Sequence, residues 1–363
     1  MDGGILRDDP PVCRSNSMKH NYFDEAMSYG NLRRALLRCC RNIRWKDSVV
    51  GYELHAPQNT HKRAEEIRSG KYKVSPYQHF TIWEPKKRDI VATRIADRQV
   101  QMALCETGLY QDLTEHFIYD NCACQKGKGT DFALKRLKVH MLRYYREHGK
   151  EGWVLKCDVH HFFPSTRHDV AKEAAAKRIS DPQALKMVCE IIDSFDGDEG
   201  IGLGSQISQL IELSVLDDID HIIKERLRVK HYIRYMDDFL IISHDKEYLA
   251  SCKEQMEEFL TCILQFEMNP KKTRIYSLHD GIDFLGFHYS LTGTGKVIKI
   301  VRSENVKRER RKLRRLVAKS KRGGLPREKV DESYAAWRNH ASKGNSYNLL
   351  KRMDAYYQDL WGN

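Results

Sequence analysis

Apolar and polar positions along the chain repeat with two different periods, and the switches between them outline the elements. NLRRALLRCCRNIRW (31–45) sets Leu32, Leu36, Cys40 and Ile43 on one face at helical spacing. THKRAEEIRSGKY (60–72) reads as a second helix ending near Gly70, a residue suited to a left-handed C-cap. HFTIWEPKKRDIVA (79–92) holds two β-like runs joined across Pro85-Lys86-Lys87, which predicts a hairpin with Lys86, Lys87 and Arg88 near its turn. ADRQVQMALCETGLY (96–110) returns to helical spacing.

The centre alternates. WVLKCDV (153–159) is an apolar β-like run, and HDVAKEAAAKRI (168–179) is made of strong helix formers. SQISQLIELSVLDDIDHIIKERL (205–227) predicts one long amphipathic helix striped by Ile211, Val215, Ile219, Ile222 and Ile223. HYIRY and FLIIS read as the strands of a tight hairpin. A helix over 246–264 and short strands around 282–290 and 297–301 follow. This order predicts an α+β fold, a sheet with helices on one face. Beyond residue 302, VKRERRKLRRLVAKSKRGG (306–324) reads as a helix with a thin apolar stripe of Val306, Leu313 and Val317. Its charge is nearly all of one sign, which favours a phosphate-binding face over a merely solvated one.

Composition narrows the class. Hydrophobic residues make up 41% of the 363, enough for a proper core, and the net charge of +12 points to a polyanionic partner. No apolar run is long enough to span a bilayer, and the N-terminal MDGGILRDDPPVC lacks the features of a signal peptide, so a cytoplasmic protein with no membrane partner is expected. The ten cysteines are scattered without zinc-site spacing and read as free thiols.

The hairpin carries an unusual feature: RYMDDFLIIS (234–243) sets Asp237 and Asp238 side by side at its tip. Like charges this close are costly unless something positive neutralises them. A further acid, Asp158, ends the apolar strand of WVLKCDVHHFFPST. If Asp158 and Asp237 come from neighbouring strands, their carboxylates can converge on hard divalent cations. Mg²⁺ takes one or two carboxylates plus substrate phosphates. Two such ions serve phosphoryl transfer.

YMDD in a hairpin, downstream of D-x-x-x-F-F, resembles the reverse transcriptases, and the resemblance runs from about residue 30 to 300 in motif order. PKKRDIVA, IADRQVQMAL, FIYDNCACQKGKGTDFALKRL (117–137), GIGLGSQISQ (200–209), LQFEMNPKKTRI (264–275) and FLGF (284–287) all take their places in the series. Leu203-Gly204-Ser205-Gln206-Ile207-Ser208-Gln209 and CQKGKGT resemble, more narrowly, the reverse transcriptases of diversity-generating retroelements within the group II intron-like superfamily. Gly202 and Asp131 depart from that pattern, which often has proline and histidine there.

The resemblance implies a right-hand polymerase fold with fingers (31–95 and 118–150), a ferredoxin-like antiparallel palm (96–117 and 151–301), a basic helical thumb (302–363) and an N-terminal tail (1–30). It implies an RNA-directed DNA polymerase that copies a template-repeat RNA into cDNA with errors concentrated at adenines. Its partners would be dNTPs, the structured RNA and RNA/cDNA duplex, and a small basic, oligomeric accessory variability protein. Asp158 and Asp237 would hold two Mg²⁺ ions, with Mn²⁺ as an alternative and Asp238 as a weaker ligand or an outer charge. Phe163 stands where the family has a steric gate, and one ring of Phe162-Phe163 is expected in the core. Lys86, Lys87 and Arg88 would grip the triphosphate beside Leu203, Gly204 and Gln209. Lys272 resembles a lysine near departing pyrophosphate, a surface lysine being the other reading. Phe284-Leu285-Gly286-Phe287 resembles the primer grip, though buried sheet residues read the same. Lys307, Arg308, Arg311 and Arg315 would follow the template–primer backbone, while Trp337, Tyr347, Tyr356, Tyr357 and Trp361 pack the thumb. The alternatives are group II intron-type, retron-type or defence-associated enzymes, and a non-catalytic RNA-binding protein. The short stretch after residue 302 disfavours an added maturase or RNase H portion.

Overall fold

The computed structural model describes residues 21–83 and 87–362. Residues 1–20 of the expected tail, and Lys86 with the rest of its turn, lie outside the described residues. The remainder of that tail is built into the core. A helical turn at Phe23–Ala26 buries Tyr22 and Ala26, and the backbone N–H groups of Tyr22 and Phe23 donate to the Asp181 carboxylate, each at 2.8 Å.

The strands are β1 (Gln78–Ile82), β2 (Arg88–Ala92), β3 (Trp153–Asp158), β4 (His231–Tyr235), β5 (Asp238–Ser243), β6 (Arg274–Ser277), β7 (Ile282–Phe284), β8 (Phe287–Leu291) and β9 (Val297–Val301). They form an antiparallel hairpin β1-β2, a four-stranded antiparallel sheet β4-β5-β3-β6 and a three-stranded sheet β7-β8-β9.

The four-stranded sheet is covered on both faces, not on one. Alternation along a strand sends successive side chains to opposite sides. Leu155, Cys157, Phe239 and Ile241 join a core with helices His168–Arg178, Gln206–Val215 and Lys246–Cys262. Val154, Leu240 and Ile242 join a second core with helix Thr130–His148 and the β7-β8-β9 sheet. Both sets are apolar, so both faces need a cover.

The long helix expected over 205–227 is broken. Gln206–Val215 ends at Leu216, Asp217–His221 follows, and a π-turn spans Ile222–Arg226. At the break, buried Asp217 meets the Arg178 guanidinium at 2.6 Å and buried Asp220 turns toward Arg234, which a continuous apolar stripe does not foresee. The helices at Thr130–His148 and Pro182–Asp193 went unread. The second starts with Asp181 accepting from the Gln183 and Ala184 N–H groups ahead of Pro182, a common N-terminal arrangement.

Helices Ser303–Lys321, Arg327–Ala341 and Tyr347–Gly362 pack around Leu313, Val317, Val330, Tyr334, Met353 and Tyr357. Trp337, Tyr356 and Trp361 pack against that cluster, as expected. Tyr347 does not: it is 80% exposed, because it opens its helix ahead of the apolar positions that meet the neighbouring helices. Among the described residues no helix is long and apolar enough to cross a membrane. The cysteines among them are free, and most are buried.

One buried ion pair fixes the β4–β5 hairpin. Arg234 has no exposure, and its Nε and Nη2 donate to the two carboxylate oxygens of Asp220, at 2.7 and 2.5 Å. The same guanidinium donates through Nη1 to the Met236 carbonyl oxygen at 3.0 Å and through Nη2 to that of Leu213 at 3.3 Å. Tyr232 adds a hydroxyl bond to Asp220. Removing one partner of such a pair strands a buried charge and costs about 3–5 kcal/mol. Arg234→Met is therefore expected to lower the urea unfolding midpoint by a corresponding amount. An unchanged midpoint would show that the pair is not what holds the hairpin.

Candidate active site

The acids meet because of register. In the β3–β5 pairing Asp158 lies opposite Asp238, and Tyr235 pairs with Asp238 across the β4–β5 hairpin. This leaves a two-residue turn, Met236-Asp237, at the end of the strand that pairs with Asp158. Met236 holds φ at 55°, a left-handed conformation that costs a non-glycine residue about 1–3 kcal/mol unless its surroundings enforce it. The Arg234 bond to the Met236 carbonyl is that enforcement.

Asp158 is buried, and both its oxygens accept from Lys272 Nζ, at 2.6 and 2.7 Å, while Asn269 Nδ2 donates at 3.2 Å. The Asn269 N–H also donates to the Asp158 carbonyl oxygen at 2.8 Å, so the turn before β6 is hooked onto the end of β3. Burial and the neighbouring Asp158 push the Asp237 carboxyl above the usual range. Asp238 is pushed up to about 6, by burial and by crowding from Asp158 and Asp237, against the attraction of Lys156 at 3.1 Å. Its Oδ1 is buried without a partner.

This set suits a hard divalent cation. The donors are carboxylate oxygens, they repel one another, and a cation would relieve that repulsion. No group of three or more His, Cys, Asp or Glu side chains able to hold a metal comes together among the described residues. Asp158 and Asp237 could thus supply part of a coordination sphere, the rest falling to water and phosphate, as Mg²⁺ commonly accepts. Asp238 is engaged by Lys156, which also donates to the Asp283 carbonyl oxygen.

The surrounding candidates divide. Phe162 is buried against Phe266, whereas Phe163 is only half-buried at the edge of the same core. The Leu203-Gly204 turn lies on β2. Gly204 has φ at 141°, and a Cβ there would stand 3.1 Å from the Val91 carbonyl oxygen. At Gly202 a Cβ would meet the Phe195 ring at 2.5 Å and Val91 at 2.9 Å, a close approach that explains the departure from proline. Leu203 and Gln209 are half-buried. Lys87 and Arg88 are exposed on the β1–β2 hairpin and form no ion pair with Asp158 or Asp237 among the described residues. Lys86 lies outside those residues.

Phe284 and Phe287 are core residues, paired across β7–β8, so the Phe284 ring presents nothing to a primer. What reaches the surface is the turn, Leu285 and Gly286, both left-handed, at φ 45° and 89°. The Gly286 carbonyl oxygen accepts from Asn305 Nδ2 at 3.0 Å, which ties the turn to the start of the basic helix. Lys307, Arg308, Arg311 and Arg315 are exposed along that helix.

Lys156, Glu212, Asn269 and the Arg234–Asp220 pair were missed from the sequence. An arginine inside the β-like run HYIRY was the available signal, since a charge within an apolar strand needs a buried partner.

The family model for reverse transcriptase (RNA-dependent DNA polymerase) matches residues 84–289. Protein YkfC of Escherichia coli (strain K12) is 23% identical over 264 residues, 61% of this chain and 68% of that protein. Apo telomerase from Candida tropicalis aligns at 12% identity with a TM-score of 0.49, over 62% of this chain and 47% of that one. Telomerase from Candida albicans, solved with the TWJ fragment of telomeric RNA, aligns at 11% identity with a TM-score of 0.49, over 64% and 46%. The chain spans about half the length of these telomerase chains. The family match takes in more than half of the chain, and with it the protein belongs to the reverse transcriptases, RNA-directed DNA polymerases and hence nucleotidyltransferases, on an α+β fold with antiparallel sheets.

Proposed function

We propose that the chain copies a structured template-repeat RNA into cDNA with low fidelity at adenines, as the enzyme of a diversity-generating retroelement. The observation that carries the catalytic part is the convergence of Asp158 with the Met236-Asp237 turn, with Lys272 on the Asp158 carboxylate. Asp158 and Asp237 would hold two divalent ions, Mg²⁺ or alternatively Mn²⁺, with Asp238 as an outer charge. When bound, such ions activate the attacking hydroxyl and offset charge on the leaving oxygen.

The chain's own groups do the rest. The Lys272 ammonium stands at the acid pair, where it can offset charge that grows on departing pyrophosphate. Phe163 closes the space beside the sugar against a ribose 2′-hydroxyl. Lys86, Lys87 and Arg88 hold the triphosphate beside the Leu203-Gly204 turn, which meets β2, and Gln209 on the helix that follows. Leu285 and Gly286 support the primer. The exposed cations of the basic helix follow the duplex backbone, whose phosphates dominate affinity. The division into fingers (31–95 and 118–150), palm (96–117 and 151–301) and thumb (302–363) follows these roles. The oligomeric accessory protein and a cytoplasmic site of action belong to the same proposal.

Two sequence features favour the retroelement reading over an intron-type, retron-type or defence-associated enzyme: the aliphatic Leu203 before G-x-x-x-S-Q, and CQKGKGT. An aliphatic side chain lacks the amide hydrogen bonds on which polar discrimination depends.

In primer extension with Mg²⁺, Asp237→Ala is expected to lower activity by about 10³-fold or more. Extension at the parental rate would leave only RNA binding. Leu203→Gln should reduce misincorporation opposite template adenine, read by sequencing the cDNA, and an unchanged adenine spectrum would remove Leu203 from the account. Asp238 gives a pH signature in chelated, ion-free protein. Its folded carboxyl titrates near 6, above the ordinary carboxylate, so the folded state binds the extra proton and stability falls as pH rises from about 4 to about 6. Buried His231, held down to about 4 by burial and by His140, acts in the opposite sense across that range. The difference between parent and Asp238→Asn cancels the histidine, and urea melts across the window should show the parent losing stability relative to Asp238→Asn as pH rises. A flat difference would contradict the placement of Asp238.

A further inference from the structure

Glu212 lies on the helix that follows the Leu203-Gly204 turn, fully buried, and nothing in the reaction described above uses it. Its Oε2 is 2.9 Å from Thr166 Oγ1, and its Oε1 is buried without a partner. Burial holds the carboxyl well above the ordinary range, against the Thr166 hydrogen bond, and the like charge of Asp237 acts in the same direction as burial. An ionised carboxylate with no cation beside it is among the costliest things a protein core can contain.

The hydrogen count at Thr166 is compatible with that protonated state. The Thr166 hydroxyl also lies 3.0 Å from the Phe162 carbonyl oxygen, which can only accept. A hydroxyl carries one hydrogen. With that hydrogen given to Phe162, the contact with Glu212 is a bond only if Glu212 donates. The bonds then run in one direction, from the Glu212 carboxylic acid to Thr166 and from Thr166 to the Phe162 carbonyl.

That relay acts on the segment carrying Phe163. Phe162–Ser165 is a single helical turn entered through His161 at a left-handed φ of 48°, too short to be stable alone. Phe162 anchors it against Phe266, and one loop adds backbone ties: the Ile201 N–H donates to the Phe163 carbonyl oxygen at 3.0 Å, and the Gly200 N–H to that of Thr166 at 2.8 Å. Glu212 adds a tie from the body of the helix that follows Leu203, in a region that also feels Asp237.

We infer that Glu212 is a positioning residue for sugar selection: through Thr166 it fixes the Phe163 segment relative to the acid pair, and the preference for deoxynucleotides over ribonucleotides depends on it. The inference rests on the reading of Phe163 as the side chain that meets a 2′-hydroxyl.

Single-nucleotide primer extension tests it, with the ratio of kcat/KM for a dNTP to that for the matching rNTP as the readout. Glu212→Gln, whose amide can donate to Thr166, should keep the ratio within about twofold of the parent. Glu212→Ala and Thr166→Val should lower it by roughly tenfold or more, mainly through a smaller KM for the rNTP. Thermal melts establish which variants fold, and Thr166→Val carries the test if Glu212→Ala does not. Phe163→Val is the reference. If it raises rNTP use while Thr166→Val and folded Glu212→Ala keep the parental ratio, the inference is overturned and the Phe163 reading stands. A Glu212→Gln ratio as low as that of Glu212→Ala also overturns it. If Phe163→Val leaves the ratio unchanged, the Phe163 reading falls and takes the inference with it.

Discussion

A guanidinium with no access to water has to be matched bond for bond, and in Arg234 the matching defines the geometry of the acidic turn. Asp220 takes two of its donors and the carbonyls of Met236 and Leu213 take others. The backbone at Arg234 is bound too: its N–H donates to the Asp120 carbonyl oxygen at 3.0 Å, and its carbonyl accepts from Cys122 at 2.9 Å. Asp120 is itself clamped by Arg136 at 2.6 Å and His140 at 3.1 Å, and these outweigh burial to hold its carboxyl far below the ordinary range. The strained Met236 conformation survives because so many groups around it have only one way to be satisfied. Asp237 inherits its position from that network.

The acid pair is set up with an unresolved electrostatic balance. Lys272 sits on Asp158 and Lys156 on Asp238, yet Asp237 and Asp238 both remain harder to ionise than free carboxylates. A site whose acids were fully neutralised by lysines would have little affinity for a cation. One with no lysine would repel the triphosphate. The mixture leaves a net demand for positive charge at the place where, on the proposed function, phosphates and divalent ions would arrive together.

Legibility from the sequence followed the range of the interactions. Asp158, Asp237 and the hairpin were readable because an acid at the end of a β-like run is a local pattern. The burial of one ring of Phe162-Phe163 was readable from an apolar pair beside a β-like run, and Phe162 is the one that went inside. Phe284 was assigned to the primer grip, but its apolar run is what a core strand also looks like, and the core claimed it. Tyr347 was assigned to packing, yet helix spacing does not say where the neighbouring helices begin. The break at Leu216 was invisible because Asp217 and Asp220 find Arg178 and Arg234 from other elements, and no periodicity records a partner 14 or more residues away.

The contact between β2 and the turn at 202–204 extends the argument from the acids to the nucleotide. Gly202 and Gly204 bring the backbone to within van der Waals reach of Val91, and neither position has room for a Cβ without displacement of its neighbours. The exposed Lys87 and Arg88 adjoin the strand that makes this contact, while the helix leading away from the turn carries Gln209 and Glu212. A shift of the hairpin therefore moves Leu203, and a shift of the helix moves Thr166 and the Phe163 segment. The hairpin, the 202–204 turn and the Phe163 segment are linked through two glycines and one buried acid. On the roles proposed for Leu203 and Phe163, base and sugar discrimination would be coupled through these contacts, and a substitution that loosens the seam at Gly204 should disturb both.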